Sequence, residues 1–178
     1  MTKKKNKRSP WIITITLLAF LISFIFSLIS ELTLSKVNLA IGIIILVLFI
    51  IIGIIFDMIG VAVTSTTEEP LHAMSAKKIR GAKKAVSFKK NADKVSSFCN
   101  DVIGDICGIV SGTVGVAITS TIGKIYNLDI FWVGLVITSL IASLTIGGKA
   151  ISKSIAIKNS NQIVYMTAKV LSIFEKKK

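Results

Sequence analysis

Residues 39–63 read LAIGIIILVLFIIIGIIFDMIGVAV, and Asp57 is the only charged residue among them. A helix needs about 20 consecutive apolar residues to cross the hydrocarbon core of a bilayer. This run exceeds that length and has no polar face. We therefore interpret it as a transmembrane helix, which makes an integral membrane protein the expected class for the chain.

Three further apolar runs extend this interpretation. Residues 11–30 and 130–148 carry no charge, and residues 98–122 carry only Asp101 and Asp105. The four runs make up about half of the 178 residues, and the chain is 52% hydrophobic with a mean hydropathy of +0.76. No remaining segment is large enough for a separate soluble domain. We predict one all-α integral membrane domain with four transmembrane helices.

The basic residues predict the orientation of these spans. Of the 22 Lys and Arg residues, five lie in 3–8, eight in 77–94 and seven in 149–178, whereas only Lys36 and Lys124 fall in the opposite loops. Basic residues in short loops tend to stay in the cytoplasm. We therefore expect a multi-pass protein of the cell membrane with both termini, the segment 66–95 and the basic tail 149–178 in the cytoplasm.

Two other interpretations of the basic residues are weaker. A basic start before an apolar run also occurs in secretory signals, but residues 31–36, ELTLSK, offer no small-x-small cleavage site after the run at 11–30. An uncleaved anchor is the better interpretation.

The net charge of +13 is typical of some nucleic-acid-binding proteins. The basic residues, however, flank the spans and lack interleaved aromatic residues. We expect no nucleic-acid partner.

The segment 66–95 predicts ordered structure outside the bilayer. Residues 68–70, EEP, form a helix-start signal. The following residues then recur on one side at helical spacing: Leu71, Ser75, Ile79, Ala82 and Val86. Basic residues fall on the other side: Lys77, Arg80 and Lys84. This pattern predicts a basic amphipathic helix near anionic lipid headgroups, or a hairpin of two helices broken at Gly81 or near Asn91. The alternative is a solvated loop held there by charge alone.

Glycines recur every four residues in the third predicted span, at Gly104, Gly108 and Gly112. Glycine at this spacing removes the side chains from one stripe of a helix, so that another helix approaches closely. We expect this stripe to pack either within the subunit or across a homodimer.

Acidic residues inside the spans are the main chemical clue, because a carboxylate in hydrocarbon needs a partner, water or a function. Asp57 lies about 9 Å from the cytoplasmic end of its span and Asp105 about 10 Å from the same side, with Asp101 one turn shallower. Together with Asn100 and Thr64, they would supply the oxygen ligands that Mg²⁺, Ca²⁺ or Na⁺ prefer.

The alternative is a structural role for these carboxylates. Each Asp would then pair with a basic group or be protonated, and Lys149, at the cytoplasmic end of the fourth span, is the candidate partner. The sequence shows no nucleophile with a base and no phosphate-binding loop, so we expect no enzymatic activity.

Three stretches resemble the transmembrane domain of the CNNM/CorC magnesium-transporter family. They are residues 55–65, IFDMIGVAVTS; residues 80–85, RGAKKA; and residues 96–101, SSFCND. Residues 148–156, GKAISKSIA, resemble that family's last span and the segment beyond it. The likeness covers about residues 52–173, and the run at 11–30 is additional to the family's three spans. No counterpart of the family's nucleotide-binding CBS pair is present, so the resemblance implies no regulation by ATP.

The family's motifs surround an intramembrane Mg²⁺ site in a dimer. By position, the first Ser of a Ser-Gly-Ser-Glu-Thr-Ala-Leu-type motif becomes Asp57 and its Glu becomes Gly60. The paired Asn of Gly-Asn-Asn become Asn100 and Asp101. The Glu of Gly-Glu-Ile-x-Pro-Lys becomes Lys149, and only Asn100 and the closing Lys153 match outright.

The resemblance and the carboxylates together predict a divalent-cation function. We expect Mg-like transport or binding by a homodimer, with Mg²⁺ or Na⁺ as the ion and Asp57, Asn100, Asp101 and Asp105 as its ligands. The alternative is a non-transporting membrane scaffold or regulatory subunit whose Asp residues form structural ion pairs.

Overall fold

The computed structural model describes residues 13, 14, 16–25, 28 and 38–174. Every regular element in this part of the chain is a helix, and these residues form no β-strand. Three helices are long and apolar enough to cross a membrane: Leu39–Ser65, Ala92–Tyr126 and Ile130–Lys158. Their length and composition make the chain an all-helical, multi-pass membrane protein.

The first predicted span, 11–30, lies partly outside the described residues. Within it, Thr16–Ile25 forms a short apolar helix, α1, in which Ala19 and Ile22 pack against the core residues of the second long helix, Ala92–Tyr126. Ten helical residues extend only about 15 Å, which is half the thickness of a bilayer core. A fourth span therefore stays a prediction.

Helix α2 (Leu39–Ser65) contains the apolar run 39–63. It begins after Asn38, whose side-chain oxygen accepts a hydrogen bond from the backbone N–H of Ala40 (3.4 Å). It ends where Thr66 turns into an extended conformation. At 1.5 Å per residue its 27 residues extend about 40 Å, which is enough to cross a bilayer core with some tilt.

The second long helix, Ala92–Tyr126, is continuous but not uniformly α-helical. It consists of α5 (Ala92–Ser97), a π-helical turn (Phe98–Gly104) and α6 (Asp105–Tyr126). It ends at Asn127, which adopts a left-handed conformation (φ 52°) that Asn tolerates better than most residues. The predicted span 98–122 lies within it.

Helix α7 (Ile130–Lys158) begins after Asp129, whose carboxylate accepts a hydrogen bond from the N–H of Phe131 (2.9 Å). It contains the predicted span 130–148 and continues beyond it. The first lysine after the apolar run marks a change in polarity, but it does not interrupt the backbone hydrogen bonds. The predicted tail 149–178 therefore contains the end of α7 and a further helix, α8 (Ser160–Phe174).

Helices α2, α6 and α7 each contact the other two and form a three-helix bundle. Its core follows one side of the second long helix and consists of Val102, Ile106, Val110, Val114 and Ile118. The apolar stretch of α7 contains half-buried and exposed residues but no fully buried one, whereas more than half of the apolar stretch of the second long helix is buried. The second long helix is therefore the centre of the bundle.

A second layer packs on the ends of α2 and α7. It contains α3 (Glu68–Ala76), α4 (Ala82–Lys90) and α8. Small and branched side chains form its core: Ala62, Val63, Leu71, Ala85, Ala156, Val164 and Ala168. The segment 66–95 is thus divided into short helices, with breaks before Ala82 and at Asn91.

The break between α3 and α4 needs glycine at Gly81. Its φ of +87° lies in the left-handed region, which a residue with a Cβ rarely adopts. A Cβ at this position would also lie 2.8 Å from the Cα of Lys169 in α8. The absence of a side chain here lets α4 begin directly against the backbone of α8.

The C-terminal end of α2 is held by the second layer. Lys89 of α4 donates a hydrogen bond from its Nζ to the carbonyl of Thr64 (2.9 Å). Asn161 of α8 accepts hydrogen bonds at its Oδ1 from the hydroxyl of Thr66, which is buried, and from the N–H of Thr67 (3.2 Å). These contacts fix α3 and α8 relative to the bundle.

Candidate functional site

The bundle brings Asp57 of α2 next to Lys149 of α7. The Oδ1 of Asp57 lies 3.8 Å from the Nζ of Lys149, and their side chains are 17% and 30% exposed. A Cβ on the adjacent Gly148 would overlap the side chain of Ile54, one turn before Asp57. This bare glycine brings α7 close enough to α2 for the two charges to pair.

The π-helical turn places Asn100 against the same part of α2. The Oδ1 of Asn100 is buried and has no hydrogen-bond partner among the described residues, whereas its Nδ2 donates to the Ser96 hydroxyl (3.4 Å). A Cβ at Gly60 would overlap the Asn100 amide. The amide therefore occupies the space that a side chain at position 60 would fill, about one turn from Asp57.

A third glycine places the Lys149 ammonium beside the π-helical turn. A Cβ at Gly104 would lie 3.8 Å from the Nζ of Lys149 and 3.4 Å from the carbonyl oxygen of Cys99. Gly104 follows Asn100 by about one turn. The ammonium, the Asp57 carboxylate and the Asn100 amide thus lie where α2, α7 and the π-helical turn meet, and we call these three groups the Asp57–Lys149–Asn100 junction.

The other two predicted ligands lie elsewhere. Asp101 and Asp105 are exposed on the outer side of the second long helix, because its opposite side buries Val102 and Ile106 in the bundle. Among the described residues, no group of three or more His, Cys, Asp and Glu side chains is placed to hold a metal ion. The predicted ligand set is therefore divided within one chain, and its metal site stays a prediction that requires groups from elsewhere.

Thr64 does not join the junction either. Its hydroxyl donates to the carbonyl of Val61 (2.9 Å), as hydroxyl side chains in helices commonly do.

The glycine stripe is only partly used within the chain. Gly104 is buried beside Lys149, but no other part of the described chain comes within 4 Å of a Cβ built at Gly108 or Gly112. Packing of these two glycines against another described helix is not seen, and the homodimer stays a prediction. Gly108 is exposed, as are Asp101 and Asp105 on the same helix.

Close contacts between helices also involve glycines outside the stripe of Gly104, Gly108 and Gly112. A Cβ at Gly53 would lie 3.0 Å from the Cβ of Cys107, and Gly60 and Gly148 lie against Asn100 and Ile54. Gly53 and Gly60 are seven residues apart, which is two helical turns, so the sequence contained a signal for this contact surface on α2.

Comparisons with known proteins add no relative: no family model, no curated protein and no solved structure matches this chain.

Proposed function

We propose that this multi-pass membrane protein is a non-transporting scaffold or regulatory subunit, whose bundle is closed around the ion pair of Asp57 and Lys149. The observation that supports this function is the 3.8 Å separation of the two charges in a largely buried setting. It favours the scaffold or regulatory subunit, which the sequence left open as the alternative, rather than the cation transporter.

The ion pair disfavours transport at this site for an electrostatic reason. A transported divalent cation needs several oxygen ligands with negative charge. The junction supplies one carboxylate, and the Lys149 ammonium of the same chain already neutralises its charge. An incoming Mg²⁺ would meet a positive charge in surroundings of low dielectric constant, where repulsion is strong. Mg²⁺ therefore has no favourable place at the junction of a single chain.

A flux measurement tests this proposal. Purified protein in liposomes that contain a Mg²⁺-sensitive dye should admit no more Mg²⁺ than empty liposomes, while an ionophore gives the full signal. Saturable Mg²⁺ entry that is lost in Asp57→Asn would contradict the scaffold function and establish transport.

Divalent-cation transport or binding by a CNNM/CorC-type domain is the second candidate. The unpartnered Oδ1 of Asn100 and the exposed Asp101 and Asp105 support it, because carboxylates inside a span need a partner and a homodimer could provide it. The bare stripe at Gly108 and Gly112 offers a surface for the second copy. If the domain transports Mg²⁺, Asp105→Asn should abolish the Mg²⁺ flux, as Asp57→Asn should.

The proposed orientation places the second layer in the cytoplasm of the cell. Exposed basic residues on α4 and in the loop before it would face anionic headgroups: Lys77, Lys78, Arg80, Lys83 and Lys90. With a first span at 11–30, both termini lie on this side, as the distribution of basic residues favours.

A further inference from the structure

We propose that the Lys149 ammonium is the resident occupant of a cation site, and that this site takes a free monovalent alkali cation when the ammonium is removed. The inference rests on the Asp57–Lys149 pair of the proposed function. It adds that the surroundings of the ammonium are a binding site in their own right.

The first support is the unpartnered oxygen of Asn100. A buried amide oxygen without a hydrogen bond is destabilising, and native proteins seldom keep one unless a water molecule or an ion satisfies it. The Nδ2 of this side chain faces Ser96, and the amide is held by its contact with Gly60. The oxygen is thus held against α2 near the ion pair, buried and without a partner, and its lone pairs are free to accept a positive group.

The second support is the space around the ammonium. Gly104 presents no side chain to the ammonium, and the Nζ of Lys149 lies 3.8 Å from the Cβ position of this glycine. Methionine at position 149 would keep most of the lysine stem but lack the terminal ammonium. It would leave a gap of about one cation beside the Asp57 carboxylate.

Charge balance selects the class of ion. The junction combines one carboxylate with one neutral amide oxygen, so a single positive charge neutralises it, as the ammonium does. A divalent ion would leave one positive charge unbalanced in surroundings of low dielectric constant. The carboxylate and amide oxygens are hard ligands, which suit Na⁺ or K⁺.

The test compares salts on purified protein in detergent micelles. The thermal midpoint of Lys149→Met is measured in NaCl, KCl and choline chloride at equal ionic strength, with wild type and Lys153→Met as controls. Lys153 is exposed one turn further along α7, so its replacement removes a lysine without affecting the junction. We expect Na⁺ or K⁺ to raise the midpoint of Lys149→Met by about 3–6 °C at ten times the dissociation constant, and neither control to respond.

A second substitution checks the role of the amide. In Lys149→Met with Asn100→Leu, the alkali response should disappear, because leucine fills a similar volume without an oxygen. A response that persists in this double variant would overturn the assignment of Asn100.

The outcomes separate this inference from the proposed function. If Lys149→Met is less stable than wild type in choline chloride and shows no response to alkali cations, the ion pair stands and the cation site is wrong. If it is as stable as wild type, the ion pair has no structural role and both proposals fail. If it folds in none of the salts, Lys149→Gln is measured in the same way, and the absence of an alkali response or of a folded protein there overturns the cation site.

Discussion

The inner and outer carboxylates of this bundle have similar predicted depths but different surroundings. Asp57 lies inside, 3.8 Å from the Lys149 ammonium, and its side chain is 17% exposed. Asp105 and Asp101 lie outside and are exposed on the second long helix. The chain itself supplies the counter-charge for the carboxylate of Asp57. At the outer positions, lipid headgroups, water or a second copy must stabilise the carboxylates.

The largest expected effect comes from breaking the inner pair. Asp57→Asn leaves the Lys149 ammonium without its counter-charge and should destabilise the folded protein by about 3–5 kcal/mol. Adding Lys149→Met should restore most of this loss, because both charges are then gone. Unfolding in micelles, followed for the wild type, both single variants and the double variant, measures the coupling.

The matched control is Asp105→Asn on the outer side, where the change should be within about 0.5 kcal/mol. If the double variant is no more stable than Asp57→Asn, or if the outer substitution costs as much as the inner one, the distinction between the two carboxylates is wrong.

A smaller effect on stability is expected from adding one methyl group at an inner glycine, Gly60, and at an outer glycine, Gly108. Gly60→Ala places a Cβ where the Asn100 amide lies and should destabilise by about 1–3 kcal/mol. Gly108→Ala meets open space, so it should cost nothing and gain up to about 1 kcal/mol from the higher helix propensity of alanine. The free energies of unfolding of the two variants, measured side by side, check this. Equal values would mean that the inner contact is not close.

A substitution on the outer side should change the oligomeric state rather than the stability of the chain. Gly108→Leu fills the bare stripe and should shift the protein from dimer to monomer while leaving the unfolding of each chain nearly unchanged. Crosslinking in native membranes and light scattering in detergent measure the shift. An unchanged distribution would show that the stripe faces lipid, which leaves Asp101 and Asp105 to be solvated by headgroups and water.

The last prediction concerns sidedness and should leave stability unaffected. Lys83 is exposed at the start of α4, and Lys83→Cys should be protected from an impermeant thiol reagent outside intact cells and labelled after permeabilisation. Both native cysteines are buried, so the wild type provides the background. Labelling in intact cells would place the second layer on the outside and reverse the proposed orientation.

Hydropathy predicted the long elements of this fold. The runs 39–63 and 130–148 lie inside α2 and α7, and 98–122 lies inside Ala92–Tyr126, because an apolar run of this length has few stable alternatives. The helix ends were less predictable. α7 continues to Lys158 although its apolar run stops at 148, since backbone hydrogen bonding does not depend on side-chain polarity.

The site was predicted less completely. Depth along a span follows from counting residues, so Asp57 and Lys149 were correctly considered as partners. The side of a helix on which a residue lies depends on packing, and the π-helical turn at Phe98–Gly104 changes the spacing of side chains without any sequence signal that we recognised. The outward position of Asp101 and Asp105 was therefore not foreseen.

The hydrogen bonds at the end of α2 also set an order of events during synthesis. Thr66 and Asn161 are 95 positions apart, and the buried hydroxyl of Thr66 finds its acceptor only in α8. A chain made from its N-terminus must therefore hold the end of α2 in temporary surroundings until residues 160–174 have left the ribosome. The second layer is complete only when α8 docks, so a chain that stops before Ser160 leaves the end of α2 without this acceptor.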